Sequence, residues 1–412
     1  AMQDQDQQKP ASLSDQHPSP RGSQANHISQ SDFQPDVKSN QDFPRARELT
    51  VVPQNLINYT LDHAMGLSVI LACKETHGWF YESYVQLYSL RVFRRPVSGL
   101  HPLVEESDRR ADDIESIAVH FAVMSGRKWF HECLVKKFFG DDPDDIVSFI
   151  MRSINLGSYL RLELDEYYLP NKRSFGTREW VHPTLVYGYD DDRQVVLSLG
   201  FDTKVFTKLT FEYSDLRRAY ASARRIAQAP SRNKALVSLI RMWEPLRPYP
   251  FSRKRFLGEL QSYLYATIDS AKKFALTTFL PASVDLDSTL RWGCRVYEHV
   301  EIGLQQLLLG HVCITYVPMH ALYEHKRFLA EAFKFVISEY KYTGRLVELA
   351  DDFQRVVRAF HSIRWKFLRY EHSKDPQLIR EILEQLNLAK ADERRLLQQI
   401  CDELQSTLPL SE

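Results

Sequence analysis

The chain has 412 residues, enough for two or three domains, and its 44% hydrophobic and 26% charged residues are ordinary for a globular protein. Its 53 basic and 53 acidic side chains cancel to a formal net charge of zero, which removes any whole-molecule electrostatic pull towards nucleic acid or an anionic membrane. The five cysteines, at 73, 133, 294, 313 and 401, include no CxxC pair and leave at least one unpaired; this argues against a zinc site or a disulfide framework and for reduced thiols in a cytoplasmic protein.

Residues 1–48 are rich in Gln, Ser, Asp and Pro, with Phe33 and Phe43 their only aromatics; such a segment buries too little apolar surface to offset its chain entropy and reads as a disordered or loosely packed arm. It has no apolar stretch of the kind a secretory signal needs, and no run further on is long enough to span a bilayer, since the apolar stretch over 307–317 is broken by Gly310 and His311. A folded α+β domain is expected over 49–230 and a helical domain over 231–412. In the first, residues 54–73 predict a mostly apolar helix and 79–90 a second one. Asp142-Pro143-Asp144-Asp145 then predicts a helix start with a capping Asp, Pro in the first position and acidic residues in the first turn.

A strand pattern follows. Leu160, Leu162 and Leu164 alternate with Arg161, Glu163 and Asp165, which predicts a strand with one buried face. WVHPTLVYGY (180–189), QVVLSLGF (194–201) and KVFTKLTF (204–211) predict three more strands, and Ser214 is placed to cap a helix over 215–227. Helices followed by an antiparallel sheet is an α+β order, not an alternating one. From 232 onward only helical periodicity is read, over 232–243, 253–279, 286–309, 318–342, 343–371 and 375–405.

The stretch LDEYYLPN…WVHPTLVYGYDDD places His182 at the start of a strand, after an acidic-aromatic strand. It resembles the papain-like fold of bacteriocin-processing cysteine peptidases, and more closely the butirosin-pathway acyltransferase-like proteins. DHAMGLSVI…WFYESYVQLY and MHALYEHKRFLAEAFKFV are similar to further segments of that group, so the resemblance spans roughly 54–340. It implies a papain-like α+β domain followed by a helical domain. The implied function is acyl or peptidyl transfer in specialised-metabolite assembly of the nonribosomal peptide or polyketide type, with an acyl or peptidyl carrier protein as partner and a small amine as acceptor. No cofactor and no metal are implied, and neither nucleic acid nor membrane; the oligomeric state stays open, a homodimer included.

The family pattern places a nucleophilic Cys on the opening helix, its base His on the later strand, and an Asp or Asn that orients the His. Three residues before His63, where the Cys is expected, this chain has Thr60. Gln54 stands six residues before Thr60, at the oxyanion-donor spacing, and His182 at the base position; the orienting acid falls near Gly200, with Asp202 close by. Three readings follow from the resemblance. Thr60 is a nucleophile served by His182; or no covalent step occurs and His182 acts as a general base; or the site is inert and the fold binds a partner or ligand. A leader-peptide-trimming peptidase is a further alternative.

His63 lies within a turn of Thr60 and either lines the site or is a satisfied buried His. One of Asp165 and Glu166 is expected to face the cleft, the bland alternative being a salt-bridged strand end. Cys73, late in an apolar helix, reads as core but is the next thiol to test if Thr60 is not the position that matters. Cys133 reads as core as well. His320, Glu324 and His325 make a weak metal pattern without a third ligand, and Glu324 or His325 closing over the cleft is the more informative alternative.

Overall fold

The first strand among the described residues is β1 (Ala46–Glu48), laid antiparallel on the far end of β6 (Val181–Asp190) with Glu48 opposite Gly188. A Cβ at 188 would stand 2.7 Å from the Arg47 carbonyl oxygen, so glycine permits this close approach. The computed structural model describes residues 43–94, 114–122, 134–138, 143–227, 236–242, 249–268, 289–311 and 313–407. The expectations for residues 1–42, Asp142, Cys133 and the helix beyond 268 lie outside these. Residues Asp42–Glu412 form one compact unit.

The protein is mixed α and β, with antiparallel sheets and a helical C-terminal region. The larger sheet has the order β4 (Leu134–Phe138), β9 (Val237–Met242), β5 (Tyr159–Asp165), β6, β7 (Val195–Phe201), β8 (Phe206–Glu212), with β1 also on β6. The smaller sheet is β10 (Leu290–Trp292), β2 (Leu87–Arg94), β3 (Ile114–Phe121). Three segments expected as helix are therefore strands in part. The 79–90 helix stops as α2 (His77–Ser83), and its aromatic and β-branched continuation enters β2; the 232–243 segment holds β9, and the 286–309 segment holds β10 ahead of its helix. Apolar runs this short do not separate helix from strand by periodicity, and tertiary pairing decides.

The helix expected over 54–73 is confined to α1 (Leu61–Ile70), which is buried on nearly every side. Residues 54–59 instead form a loop. The helix expected at Pro143 is α3 (Ile146–Asn155), and its cap is Asp145, whose carboxylate accepts from the Val147 N–H at 3.2 Å. α4 (Tyr213–Ala227) follows β8 directly.

β5 corrects the expectation of one wet face, for all seven of its residues are buried. Leu160, Leu162 and Leu164 face α3 and α4, each contributing about 2 kcal/mol by leaving water. On the other face Tyr159, together with Leu185 and Leu199 of the neighbouring strands, shares a core with α1. Arg161 tolerates burial there because its guanidinium bonds Glu163 at 2.9 Å and Asp62 of α1 at 2.9 Å.

The C-terminal helices are α5 (Arg253–Tyr265), α6 (Val296–Leu308), α7 (Tyr316–Tyr340), α8 (Arg345–Ser373) and α9 (Pro376–Ser406), close to the spans their periodicity predicts for the last three. The Leu322-Tyr323-Glu324-His325-Lys326 segment joins this region to the rest. Glu324 is fully buried and accepts from the Asn58 and Tyr59 N–H groups at 2.9–3.0 Å, His325 Nε2 bonds the Val85 carbonyl at 2.8 Å, and Lys326 meets Glu393 of α9 at 2.6 Å. No helix among the described residues is long and apolar enough to cross a membrane.

Candidate active site

Register decides which of the singled-out residues share a face. His182 stands opposite Leu164, and Thr184 opposite Leu162, so both side chains lie on the leucine face of β5. α1 is anchored on the other face through Asp62 and Arg161, with Leu185 and Leu199 packed beneath it. The structure thus sets Thr60 and His63, at the start of α1, against one face of the sheet and His182 on the other, and does not bring the three together.

Around His182 the chain builds a compact polar cluster from the turns that follow β5 and β7. His182 Nδ1 lies 3.0 Å from Glu166 Oε1, and Lys172 Nζ lies 3.4 Å from the same oxygen. The His182 side chain is 32% exposed, whereas those of Glu166 and Lys172 are 7% and 1% exposed. With Nδ1 committed to a carboxylate, Nε2 is left without a hydrogen-bond partner among the described residues. Burial pushes the Glu166 carboxyl up, but the His182 hydrogen bond and the Lys172 charge outweigh it and hold the group below the ordinary carboxylate range. Burial likewise pulls the Lys172 ammonium down, against Glu166. Lys172 Nζ and the fully buried Thr184 Oγ1 have no hydrogen-bond partner among the described residues. Donors left unmet in the interior are rare and cluster where structure is sacrificed to function.

Asp165 is at the root of this arrangement without touching the imidazole. Its carboxylate accepts from the Tyr167 N–H (3.1 Å), the Trp180 N–H (2.9 Å) and Ser222 Oγ of α4 (2.7 Å). It therefore ties the end of β5 to the strand start that carries His182. Of the two adjacent acids, Glu166 is the one that reaches the ring. Asp202 closes the β7–β8 turn, accepting from the Lys204 and Val205 N–H groups at 2.5 and 2.7 Å, which lower its carboxyl; Lys172 adds to that effect. The carboxylate on His182 thus comes from the β5 end and not from the return strand.

The α1 end makes a second polar cluster. Thr60 occupies the N-cap position with φ −130° and ψ 142°, yet its side chain caps nothing and its Oγ1 is buried without a partner among the described residues. Gln54 is tied to its own loop: one amide N–H donates to the Ile57 carbonyl at 2.5 Å and its Oε1 accepts from the Leu56 and Ile57 N–H groups at 3.0 Å. His63 Nδ1 meets Tyr84 Oη at 3.0 Å, and its ring stacks on Tyr59. His320 Nε2 lies 3.1 Å from Glu324 and 3.2 Å from Asn58 Oδ1. Glu324 does close onto the segment leading into α1, while His325 turns away towards Val85.

Among the cysteines, Cys73 lies 2.8 Å from Glu75, and burial followed by that carboxylate pushes its thiol up, the reverse of an activated nucleophile. Cys313 and Cys401 are buried. No group of three metal-ligating side chains occurs among the described residues. Lys172 had no signal in the sequence, because a lysine in a polar loop ordinarily reads as solvated. No protein-family model matches the chain, and no curated protein matches it.

Proposed function

We propose that this chain is an acyl- or peptidyl-transfer enzyme of papain-like ancestry that works without a covalent intermediate, with His182 as general base and Glu166 as the carboxylate that orients it. The observation that carries this reading is the imidazole itself: Nδ1 held at 3.0 Å by a buried carboxylate in a side chain that is about one-third exposed. That is how a base is held in one tautomer and one orientation. The donor class, a thioester on a carrier protein, rests on the resemblance of LDEYYLPN…WVHPTLVYGYDDD and the neighbouring segments. In the reaction His182 Nε2 takes the proton of an incoming amine as its nitrogen attacks the thioester carbonyl. The C–S bond then breaks, and the departing thiolate recovers the proton.

The reading that competes with it is a binding or scaffold protein on a papain-like fold that has lost its chemistry. It is favoured by the Gln54 amide being spent on its own loop and by Thr60 lying across the sheet from His182. Intact-mass spectrometry separates the two. The protein is mixed with acyl-loaded carrier protein and a panel of amines, beside His182→Ala. Loss of the acyl group from the carrier to an amine, abolished in the variant, supports the transferase. Carrier binding with no turnover by the parent protein across the panel supports the scaffold.

A further inference from the structure

The side chain packed behind Glu166 carries a consequence beyond the base itself. Lys172 is 3% exposed as a residue, its Nζ has no hydrogen-bond acceptor among the described residues, and its nearest charge is Glu166 Oε1 at 3.4 Å. The room it occupies is set by Gly200. A Cβ built at 200 would stand 2.8 Å from Lys172 Nζ and 3.8 Å from Thr184 Oγ1. Any larger residue at 200 would displace the ammonium. A lysine this buried and this poorly bonded is an expensive way to brace a loop, since an apolar side chain of similar length would fill the same space without stranding a charge. What it does supply is a positive charge against the carboxylate that His182 uses.

We propose that Lys172 is a positioning residue for His182: seated in the space left by Gly200, its ammonium shares the Glu166 carboxylate with the imidazole and so competes with the ring for that charge. This rests on the reading of His182 as a base. Glu166 from the β5–β6 connection meets the ring, Lys172 from the same connection lies behind Glu166, and Asp202 from the β7–β8 turn acts on Lys172. Arg178 lies over the Trp180 ring, and Arg225 of α4 is paired with Glu179. With Lys172 removed, an imidazolium on His182 becomes the charge that balances Glu166, so protonation is favoured and the ring stays charged to higher pH.

The test is an NMR titration of the histidine ring resonances of the full chain, with His182 identified by its loss in His182→Ala. In Lys172→Met the His182 midpoint is expected to rise by about one pH unit, the scale on which one nearby charge acts. Gly200→Ala is the second variant: it keeps every charge but crowds Nζ away from its seat, and a smaller shift in the same direction is expected. An unmoved or lowered midpoint in the folded variants overturns the proposal. The titration needs no substrate, so the two readings fail separately. A raised midpoint in a protein that transfers nothing leaves the Lys172 role standing and removes the catalytic reading. An unmoved midpoint beside His182-dependent transfer does the reverse.

Discussion

Two buried lysine–glutamate pairs stand among the described residues, and they are finished differently. In the helical region Lys326 Nζ bonds Glu393 Oε1 at 2.6 Å, Tyr263 Oη at 2.8 Å and His325 Nδ1 at 2.9 Å, matching all three of its N–H groups, while Tyr297 donates to the other Glu393 oxygen. Lys326 and Glu393 are 0% and 3% exposed, and the ammonium also lies within 5.3 Å of the Tyr263, Tyr297 and Phe360 ring centroids. At the end of the large sheet Lys172 approaches Glu166 no closer than 3.4 Å, makes no hydrogen bond among the described residues, and shares the carboxylate with a histidine open to solvent. A saturated buried pair holds elements in register; an unsaturated one beside an accessible imidazole holds electrostatic potential.

Several substitutions would break or sharpen this contrast. The largest effect is expected from Lys326→Met, which strands Glu393 in the interior and costs about 3–5 kcal/mol in urea unfolding, with little effect on transfer measured where the variant is folded. Lys172→Met is expected to cost about 1 kcal/mol or less, because the ion pair it removes is long and poorly aligned and Glu166 keeps its hydrogen bond to His182. Equal losses in the two variants would erase the distinction between the pairs. Thr60→Val removes an unbonded buried hydroxyl at nearly constant shape, so its stability change is expected within about 1 kcal/mol of zero, measured in the same way. The smallest effect is on the acid limb of stability. The folded Glu166 carboxyl sits below its ordinary 4.5, so the stability it contributes is fully present above that pH and is lost as pH falls through the folded value. The stability difference between the parent protein and Glu166→Gln should therefore shrink below about pH 4.5; a difference that stays constant from pH 7 to pH 3 would contradict the assignment.

What could be read from the sequence follows from how local each cause is. The leucine alternation over 160–164 and the three strands after it declare themselves, and so do α7, α8 and α9, because each carries its own period over many residues. β2 and β9 do not, since their helical or extended course is decided by distant partners. Arg161 and Glu163 look like a wet face because charge ordinarily means exposure; α1 and its Asp62 cover them from a hundred residues upstream. His182 was legible as a strand-start histidine. Its carboxylate was expected near Asp202 on the return strand, and one of Asp165 and Glu166 only to face the cleft; the turn after β5 departs from strict alternation, sends Asp165 to backbone N–H groups and Glu166 to the ring, and so supplies the carboxylate from a place the spacing did not point to. Lys172 and Gly200 were not legible as a pair, for their meeting depends on the packing of two turns that the sequence holds apart.

The most direct test of the account places His182→Ala and Thr60→Val side by side in the intact-mass transfer assay with acyl-loaded carrier protein. The account predicts that Thr60→Val transfers like the parent, that His182→Ala does not, and that no acyl adduct accumulates on the protein. Loss of transfer in Thr60→Val, with an adduct on the parent that the variant lacks, would contradict it and return the chemistry to the start of α1.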